Sequence, residues 1–422
     1  MKLNSLIAGL AVVLTLAAPL TAADVLIPDL NSPVTDVVAL NALTTGVSEV
    51  TTNPPAPVPG FLQTPYLQSL SPTSMAVLWQ TREPAYGWVE FGPTPALGAK
   101  QDASVHGLRT ANVTEHRVVL DGLRPGTNYW YRVAFKPIRK FQAYKVEFGP
   151  EQGSEPVAFQ TLPGPRQPVT TVIFNDLHND TMLFQQLRRV ADETRFDFSV
   201  FNGDCFADPA AAQPVLTTMA AYTKGVQADH RPAFFLRGNH ETRGAYARQL
   251  PALMAWPGDR PYFAFSAGPV RFVLLDLGED KPDDHSEYSG LIDFTRFRRK
   301  ETEWLKHEVA SREYRKATWR VLVHHIPLYW GQFAVALTNR PPWQQSWPGL
   351  LKQADLAISG HTHVRAFYPA RTVGNPYPVV IGGGPKTNTA TVMILEADAR
   401  RLKLRVLDLN GKEVFPAFEK TR

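Results

Sequence analysis

The sequence predicts two folded units, an all-β sandwich followed by an α/β domain with a layered sheet. Residues 61–162 contain short segments of alternating apolar and polar residues, separated by Gly, Pro and Asn, which is typical of a β-sandwich. From Val169 onward, apolar strand-like runs alternate with helix-like segments, which indicates an α/β domain. Pro163-Gly164-Pro165 separates the two patterns, and 422 residues are enough for two or three domains.

The N-terminus has the composition of an export signal. Lys2 precedes an apolar run from Leu6 to Leu20, and Thr21-Ala22-Ala23 supplies the small residues of a cleavage site. We therefore expect a secretory signal peptide over residues 1–23 and a secreted or periplasmic location. The run is too short for a membrane span, and no later stretch is apolar enough for one.

The overall composition is that of a soluble globular protein, with 44% hydrophobic and 20% charged residues. The formal net charge is +5, but the basic residues are too dispersed to indicate a nucleic-acid-binding surface. The single cysteine, Cys205, excludes an internal disulfide. We interpret it as a small buried residue rather than a metal-binding thiolate.

Residues 24–60 are predicted to be an N-terminal extension that ends in the Pro-rich linker Asn53–Gly60. Part of Val34–Leu43 is predicted to form an edge strand or a short helix. Strands of the sandwich are predicted at Ser74–Gln80, Gly87–Phe91, His116–Leu120, Asn128–Val133 and Val157–Thr161.

Residues 123–129 are predicted to form a corner that places Tyr129 at the start of a strand. The sandwich has no cluster of titratable residues, and His106 and His116 are expected at its surface or edge. We therefore expect this unit to pack and position the following domain rather than to carry chemistry.

The second unit alternates strands with helices. The predicted strands are Val169–Phe174, Phe198–Phe201, Ala233–Leu236, Tyr262–Ala267, Val270–Leu277, Trp319–Val323, Leu356–Ser359, Val379–Gly382, Ala390–Leu395 and Leu402–Leu409. The predicted helices are Leu183–Thr194, Gln213–Lys224, Tyr246–Met254 and Phe294–Ser311.

Five of these strands are followed by residue types that bind metals. The five blocks are Asn175-Asp176-Leu177-His178, Asn202-Gly203-Asp204, Gly238-Asn239-His240-Glu241, His324-His325-Ile326-Pro327 and Gly360-His361-Thr362-His363. Strand ends of this kind are where open α/β sheets bind ligands. Each block alone has an ordinary interpretation as a cap or a turn, but the conjunction of the five indicates a metal site.

The spacing of Asp176 and His178, and of His361 and His363, places each pair on one face if the chain is extended. Carboxylate and imidazole together suit Zn, Fe, Mn or Co rather than Ca or Mg alone. The ligands are too many for one ion, so we predict two ions bridged by a carboxylate and a hydroxide.

The ordered set of blocks resembles the calcineurin-like metallophosphoesterases, over about residues 169–385. Residues 61–162 resemble a fibronectin type III module and, more closely, the N-terminal domain of purple acid phosphatases, whose opening is similar to Pro65-Tyr66-Leu67-Gln68. The resemblance implies a layered αββα core over residues 168–422.

The resemblance also implies roles for individual residues. One metal would be held by Asp176, His178 and His363, the other by Asn239, His325 and His361, with Asp204 bridging them. His240 would be the acid that faces the leaving group, and Asn239 and His240 would contact the substrate. Apart from the resemblance, Arg365 and Tyr368 stand just beyond the last metal block, and this proximity suggests that they contact a substrate phosphate. The two metals would be drawn from Fe, Mn and Zn.

Three departures from the family pattern bear on these roles. Asn175 stands where the family usually has Gly or Ser, and we expect it to be tolerated. His325 matches the family's His-x-Pro spacing, but His324 also matches the strand end, so both stay open as ligands, with His325 favoured. Ala207 replaces the tyrosine ligand of purple acid phosphatases, so no tyrosinate-to-iron colour is expected.

The expected activity is hydrolysis of phosphate monoesters, with a metal-bridging hydroxide as nucleophile and His240 and Asp204 as catalytic residues. Two alternatives stay open: a phosphodiesterase or nucleotide hydrolase on the same site, and a catalytically silent surface-binding protein. The expected partner is a small phosphate ester. Residues 278–290 are interpreted either as a lid or as a solvated loop, and Glu241 either orients His240 or holds its loop.

Overall fold

A computed structural model describes residues 59–331 and 342–422 of the chain. The predicted signal peptide lies outside the described residues, as does the predicted extension up to residue 58, including Val34–Leu43. No helix among the described residues is long and apolar enough to cross a membrane.

The first unit is built from antiparallel strands. They are β1 (Phe61–Ser71), β2 (Ser74–Gly92), β3 (Ala99–Asp102), β4 (Ser104–Val105), β5 (Leu108–Arg109), β6 (Ala111–Leu120), β7 (Asn128–Gln142), β8 (Lys145–Phe148), β9 (Gln152–Gly153) and β10 (Val157–Gln160). The main path runs β1-β2-β7-β10, with β3 and β6 on β2 and with β8 and β9 on β7.

Strand β2 covers two of the predicted strands. Its first half pairs with β1 and β6, and its second half pairs with β3 and β7. An irregularity between Gln80 and Ala85 lets one continuous strand serve both halves of the sandwich. The sequence suggested a break here because the polar residues Thr81, Arg82 and Glu83 interrupt the apolar alternation.

Two side chains of this unit bear on the sequence predictions. The Tyr129 hydroxyl accepts a hydrogen bond from the Arg124 backbone N–H at 3.1 Å, which closes the predicted corner. His116 is buried rather than at the surface, because β6 places it opposite Trp79, on which its ring stacks at 4.9 Å. Burial lowers the pKa of His116 to about 4.

The second unit contains two six-stranded sheets. The first sheet has the order β13-β12-β11-β20-β21-β22, from Ala233–Leu236 (β13), Phe198–Asn202 (β12), Val169–Phe174 (β11), Val392–Ala397 (β20), Arg401–Leu407 (β21) and Phe418–Thr421 (β22). The second has the order β14-β15-β16-β17-β19-β18, from Phe263–Ala267 (β14), Val270–Leu275 (β15), Trp319–His324 (β16), Leu356–Ser359 (β17), Val379–Ile381 (β19) and Ala366–Tyr368 (β18).

The helices of this unit are α1 (Thr181–Val190), α2 (Ala212–Gly225), α3 (Phe294–Ala310), α4 (Arg312–Lys316) and α5 (Pro342–Leu350). Short 3₁₀ turns at Ala245–Arg248 and Leu250–Leu253 replace the predicted helix Tyr246–Met254. Pro251 explains the interruption, because it lacks the N–H that an interior helical position must donate. Strands β18 and β22 and helices α4 and α5 were not predicted from the sequence.

The two sheets pack face to face, which confirms the layered fold class. Phe198 of the first sheet contacts Phe265 and Phe272 of the second at ring distances of 5.5 and 5.4 Å. Along β15, Phe272 faces this shared core, whereas Val273 faces a second core with Leu305 of α3. The alternation follows from the two-residue period of a strand.

The two units share one continuous core. Tyr66, Leu78 and Leu162 of the first unit belong to the same buried cluster as the sheets of the second. The Tyr66 hydroxyl donates to the Leu253 carbonyl oxygen at 2.6 Å, and the Gln68 amide binds the same carbonyl and the Ala255 N–H. The sandwich is therefore packed into the second unit rather than tethered beside it.

Candidate metal centre

The predicted blocks converge because of strand order. Strands β11, β12 and β13 are parallel neighbours, so their carboxyl ends meet at one edge of the first sheet. Strands β16 and β17 are parallel neighbours in the second sheet. Since the two sheets stack, the five strand ends bring the predicted ligands into one place, where two groups of residues have their donor atoms within 4.8 Å of one another.

The first group consists of Asp176, His178, Asp204 and His363. The two imidazole Nε2 atoms of His178 and His363 lie 3.3 Å apart. The His363 Nε2 atom is 3.4 Å from Asp176 Oδ1, and the His178 Nε2 atom is 3.8 Å from Asp204 Oδ2. Four donors thus face a common point.

The second group consists of Asp204, His325 and His361. The His325 Nε2 atom lies 2.9 Å from Asp204 Oδ2. Asn239 joins this group, because its Oδ1 atom is 2.9 Å from the His361 Nδ1 atom. Asp204 belongs to both groups, which is the arrangement expected of a bridging carboxylate.

The donor set fits transition-metal ions. Ligands about 2.1 Å from a Zn-like ion lie roughly 3.0–3.4 Å from one another in octahedral or tetrahedral geometry, close to the spacings within both groups. Among the described residues, the fully buried Nε2 of His325 makes no hydrogen bond although it faces Asp204. A buried imidazole nitrogen in that position is suited to a cation.

The backbone at the ligands departs from the extended conformation that the sequence suggested. Asp176, His178, Asp204, His361 and His363 all have φ between 47° and 70°, in the left-handed region. Such backbone is costly for residues with a Cβ and persists where the surrounding fold enforces it. The spaced pairs do converge, but through tight loops rather than through one face of a strand.

Two glycines of the blocks allow the close approach of neighbouring ligands. A Cβ added to Gly238 would overlap the carboxylate of Asp204, and a Cβ added to Gly360 would overlap the carboxylate of Asp176. Asn175 fixes the same Asp176, since its amide donates to Oδ2 at 2.5 Å. The residue that departs from the family pattern therefore orients a ligand.

Glu241 holds the loop that carries Asp204. Its buried carboxylate accepts hydrogen bonds from the backbone N–H groups of Asp204, Cys205, Phe206 and Gly238, at 2.7–2.9 Å. Burial and the nearby charge of Asp204 raise the pKa of Glu241 to about 7. Of the two roles open from the sequence, the contacts match the second, holding the loop.

His240 lies beside the two groups. Its Nε2 atom is 4.0 Å from Asp204 Oδ2, and its backbone N–H donates to Asp204 Oδ1 at 2.9 Å. Its Nδ1 atom lies 3.0 Å from Asp208 Oδ1. The sequence motifs did not single out Asp208, although it stands only four residues after Asp204.

Neighbouring charges in the centre shift the pKa values of its histidine and aspartate side chains. Burial lowers the pKa of His325, but the carboxylates of Asp204 and Asp176 outweigh burial and raise it to about 10. Burial also raises the pKa of Asp204, yet the charges on His325 and His240 bring it below its ordinary value. A cation that binds here displaces the imidazole proton, so metal affinity falls as the solution becomes more acidic.

Four other residues singled out in the sequence lie apart from the two groups. His324 points elsewhere than His325, with its Nδ1 atom near the Ile326 carbonyl and the Ser359 hydroxyl. The Arg365 guanidinium donates to the Asn388 carbonyl oxygen, and no ion pair joins it to the metal-site carboxylates within the described part of the chain. Tyr368 and Cys205 are both buried.

The loop at 278–290 is anchored at its start and again at the buried Tyr288, and the residues between are half-buried or exposed. Glu279 is buried and accepts hydrogen bonds from Thr242, Arg243 and the Tyr288 hydroxyl. These contacts tie the loop to the segment that carries His240. The sequence analysis interpreted this segment as a lid or as a solvated loop, and neither interpretation included the buried carboxylate of Glu279.

Comparison with known proteins assigns both units. Residues 169–365 match the calcineurin-like phosphoesterase family, and residues 63–161 match the purple acid phosphatase N-terminal domain. The second unit thus matches a phosphoesterase family, and the first unit matches a phosphatase N-terminal domain. The chain is 23% identical over 289 residues to purple acid phosphatase 23 of Arabidopsis thaliana, a match that covers 59% of this chain and 56% of the relative. The chain thus aligns with little more than half of that relative.

Solved structures with the same fold include two at TM-scores above 0.5. The purple acid phosphatase PPD1 from yellow lupin (Lupinus luteus) seeds superposes on this chain with a TM-score of 0.62 at 16% identity, covering 85% of this chain and 75% of that one. PhoD superposes with a TM-score of 0.57 at 14% identity, covering 88% and 90%. At these identities the likeness is one of fold.

Proposed function

We propose that this chain is a secreted or periplasmic dimetal phosphoesterase that hydrolyses phosphate monoesters. The observation that supports it most directly is the pair of donor groups that share Asp204. The imidazole of His240 lies beside these groups without belonging to either. In this proposal residues 61–162 and 168–422 are the two domains, and residues 1–23 are removed on export.

Each ligand residue has a defined part in the proposal. Asp176, His178 and His363 hold one ion, Asn239, His325 and His361 hold the other, and Asp204 bridges them. Two transition-metal ions such as Fe, Mn or Zn, held by these residues, would lower the pKa of a bound water toward neutral pH and would neutralise charge on the phosphate. The protein contributes a fixed arrangement of these donors, which the left-handed loops and Glu241 maintain.

His240 supplies the proton that the leaving alcohol requires. Its ring packs edge-on against the His178 ring, with centroids 4.7 Å apart, so it borders the first donor group. Asp208 accepts a hydrogen bond from Nδ1 and thereby presents Nε2 to the ester side. This dyad gives a general acid a fixed direction. Asn239 and His240 contact the substrate in the proposal, and Arg365 does so only if its guanidinium leaves the Asn388 carbonyl.

The test combines metal analysis with two chromogenic esters. The purified full chain is loaded with Mn, Fe, Zn or Co in turn, its metal content is measured, and turnover of p-nitrophenyl phosphate and bis-p-nitrophenyl phosphate is compared. We expect about two ions per chain and turnover of the monoester. Two ions with turnover of the diester alone would establish the phosphodiesterase alternative, and neither metal nor turnover would establish a silent binding protein.

The location is tested separately. The intact mass of the exported protein gives its first residue, which we expect near residue 23 or 24. An uncleaved protein retained in the cytoplasm would contradict the proposed location and leave the proposed chemistry untouched.

A further inference from the structure

The β7–β8 hairpin extends beyond the main sheet of the N-terminal domain. Residues 138–142 of β7 pair with β8, and β8 pairs with no other strand in the described part of the chain. Nine large apolar side chains are exposed among the described residues, and four of them lie in this one hairpin. They are Phe141 (55% exposed), Tyr144 (102%), Val146 (37%) and Phe148 (49%).

A register irregularity gives the hairpin an apolar face. Ile138 pairs with Phe148, Phe141 pairs with Val146, and the register shifts between Ile138 and Lys140. Directly paired residues lie on one face of a ladder, and alternate residues of β8 share a face. Without the shift, Ile138 and Phe141 would face opposite sides. With it, Ile138, Phe141, Val146 and Phe148 share one face.

The other face of the hairpin is polar and basic. It carries Lys140 and Gln142 from β7, with Lys145 and Glu147 opposite them in β8. The segment from Ile138 to Phe148 holds three cations and one carboxylate, and Arg139 pairs with Glu83 of β2 at 2.7 Å. Lys145 pairs with Glu147, whereas Lys140 has no ion pair within the residues that the structure describes.

We propose that this hairpin, residues 138–148, docks the protein on an anionic lipid bilayer surface. An element with aromatic side chains on one face and Lys or Arg on the other suits the boundary between headgroups and acyl chains. Phe141 and the fully exposed Tyr144 at the tip would enter the interface. Lys140, which has no ion pair among the described residues, complements the negative potential of anionic headgroups.

The size of the apolar face argues against a second copy of the chain as its binding partner. The apolar face consists of four partly exposed side chains, whereas a stable protein–protein interface usually buries about 800 Å² on each partner. Docking on a bilayer requires no such area.

The test measures binding of the purified full chain to vesicles by cosedimentation. We expect binding to vesicles of phosphatidylglycerol and phosphatidylcholine, little binding to phosphatidylcholine alone, and weaker binding as salt is raised. The double variant Phe141→Ser/Tyr144→Ser should bind about tenfold more weakly or worse, because two aromatic rings no longer enter the interface. Lys140→Gln should weaken binding to anionic vesicles by about fivefold.

Leu108→Ser is the matched control, since Leu108 is 76% exposed on the separate β4–β5 hairpin of the same domain. It should bind as the parent does, and circular dichroism should show all variants folded. Equal binding by the parent and the double variant would overturn the proposal. So would a parent that binds no vesicles, or a dimer in light scattering that the double variant converts to a monomer. Phosphatase activity enters none of these readouts.

Discussion

At the scale of single residues, the centre is organised around the two oxygens of Asp204. Oδ2 faces His325 at 2.9 Å, and Oδ1 accepts the backbone N–H of His240 at 2.9 Å. One carboxylate therefore connects the donor groups to the proposed proton donor. The residues around it divide into those that face the centre and those, such as Glu241, that hold its loops.

Substitutions at Asp204 and His240 should separate metal binding from proton transfer. Asp204→Ala removes a donor from both groups, so we expect loss of bound metal and of activity. His240→Ala should keep its metal and lose about 10²–10⁴-fold in turnover of a monoester. Metal content and kcat are measured on the same samples. Full metal and full activity in both variants would contradict the assignment.

Glu241→Gln should destabilise the fold near the centre. The carboxylate accepts four backbone N–H bonds, and an amide in its place presents N–H groups to those donors. We expect a loss of about 2–3 kcal/mol in the free energy of unfolding, measured by urea denaturation of the metal-free chain. Asp208→Asn serves as the control, because that exposed carboxylate should affect turnover with little effect on stability.

At the scale of elements, the positions of the candidate ligands follow from where the strands end. The pairing within the N-terminal domain follows from one long strand, β2. Strands β11, β13 and β17 have the bounds that apolar runs predict, so their polar ends were visible in the sequence. Strand β2 was predicted as two because a polar interruption does not reveal that the ladder continues. Pairing with β6 then placed His116 against Trp79, which local sequence cannot show.

The burial of His116 predicts a pH-dependent stability. Its folded pKa of about 4 lies below the ordinary value of 6.5, so the unfolded chain takes up this proton first as pH falls. The stabilisation is complete above about pH 7 and is lost as pH falls from 6.5 toward 4, by about 3 kcal/mol at pH 4. His116→Gln removes the titration.

Urea unfolding of both proteins between pH 7 and pH 4 gives the comparison. The parent should lose about 3 kcal/mol more than the variant over this range. Because the histidines of the metal centre are common to both proteins, the difference reports His116 alone. Identical pH profiles would show that His116 is accessible to protons in the folded chain.

At the scale of the whole molecule, the two domains form one packed structure. Leu78 of the sandwich lies in the core that also contains both sheets of the phosphoesterase domain, and Tyr66 and Gln68 bind backbone at 253–255. Residues 253–255 follow the segment that carries His240. The sandwich therefore supports the domain with the metal centre, as a packing and positioning unit would.

This shared core predicts cooperative unfolding. Calorimetry of the full chain should show one transition, and Leu78→Ala should lower the stability of that single transition by about 2–5 kcal/mol. The temperature at which activity is lost on heating should fall together with the midpoint of that transition. The exposed Leu108→Ser should shift neither. Two resolved transitions, of which Leu78→Ala moves only one, would show that the domains are energetically independent.

The fold class and the residue types gathered at the strand ends could be predicted from the sequence, because apolar periodicity and metal-binding residue types are local properties. The folded structure was needed to show that His325 rather than His324 faces Asp204, that the loops of the candidate ligands are left-handed rather than extended, and that Glu241 holds a loop. It also revealed the contacts of Asp208 and Glu279. These outcomes depend on contacts between segments far apart in the chain, since a side chain's role follows from what another strand places opposite it.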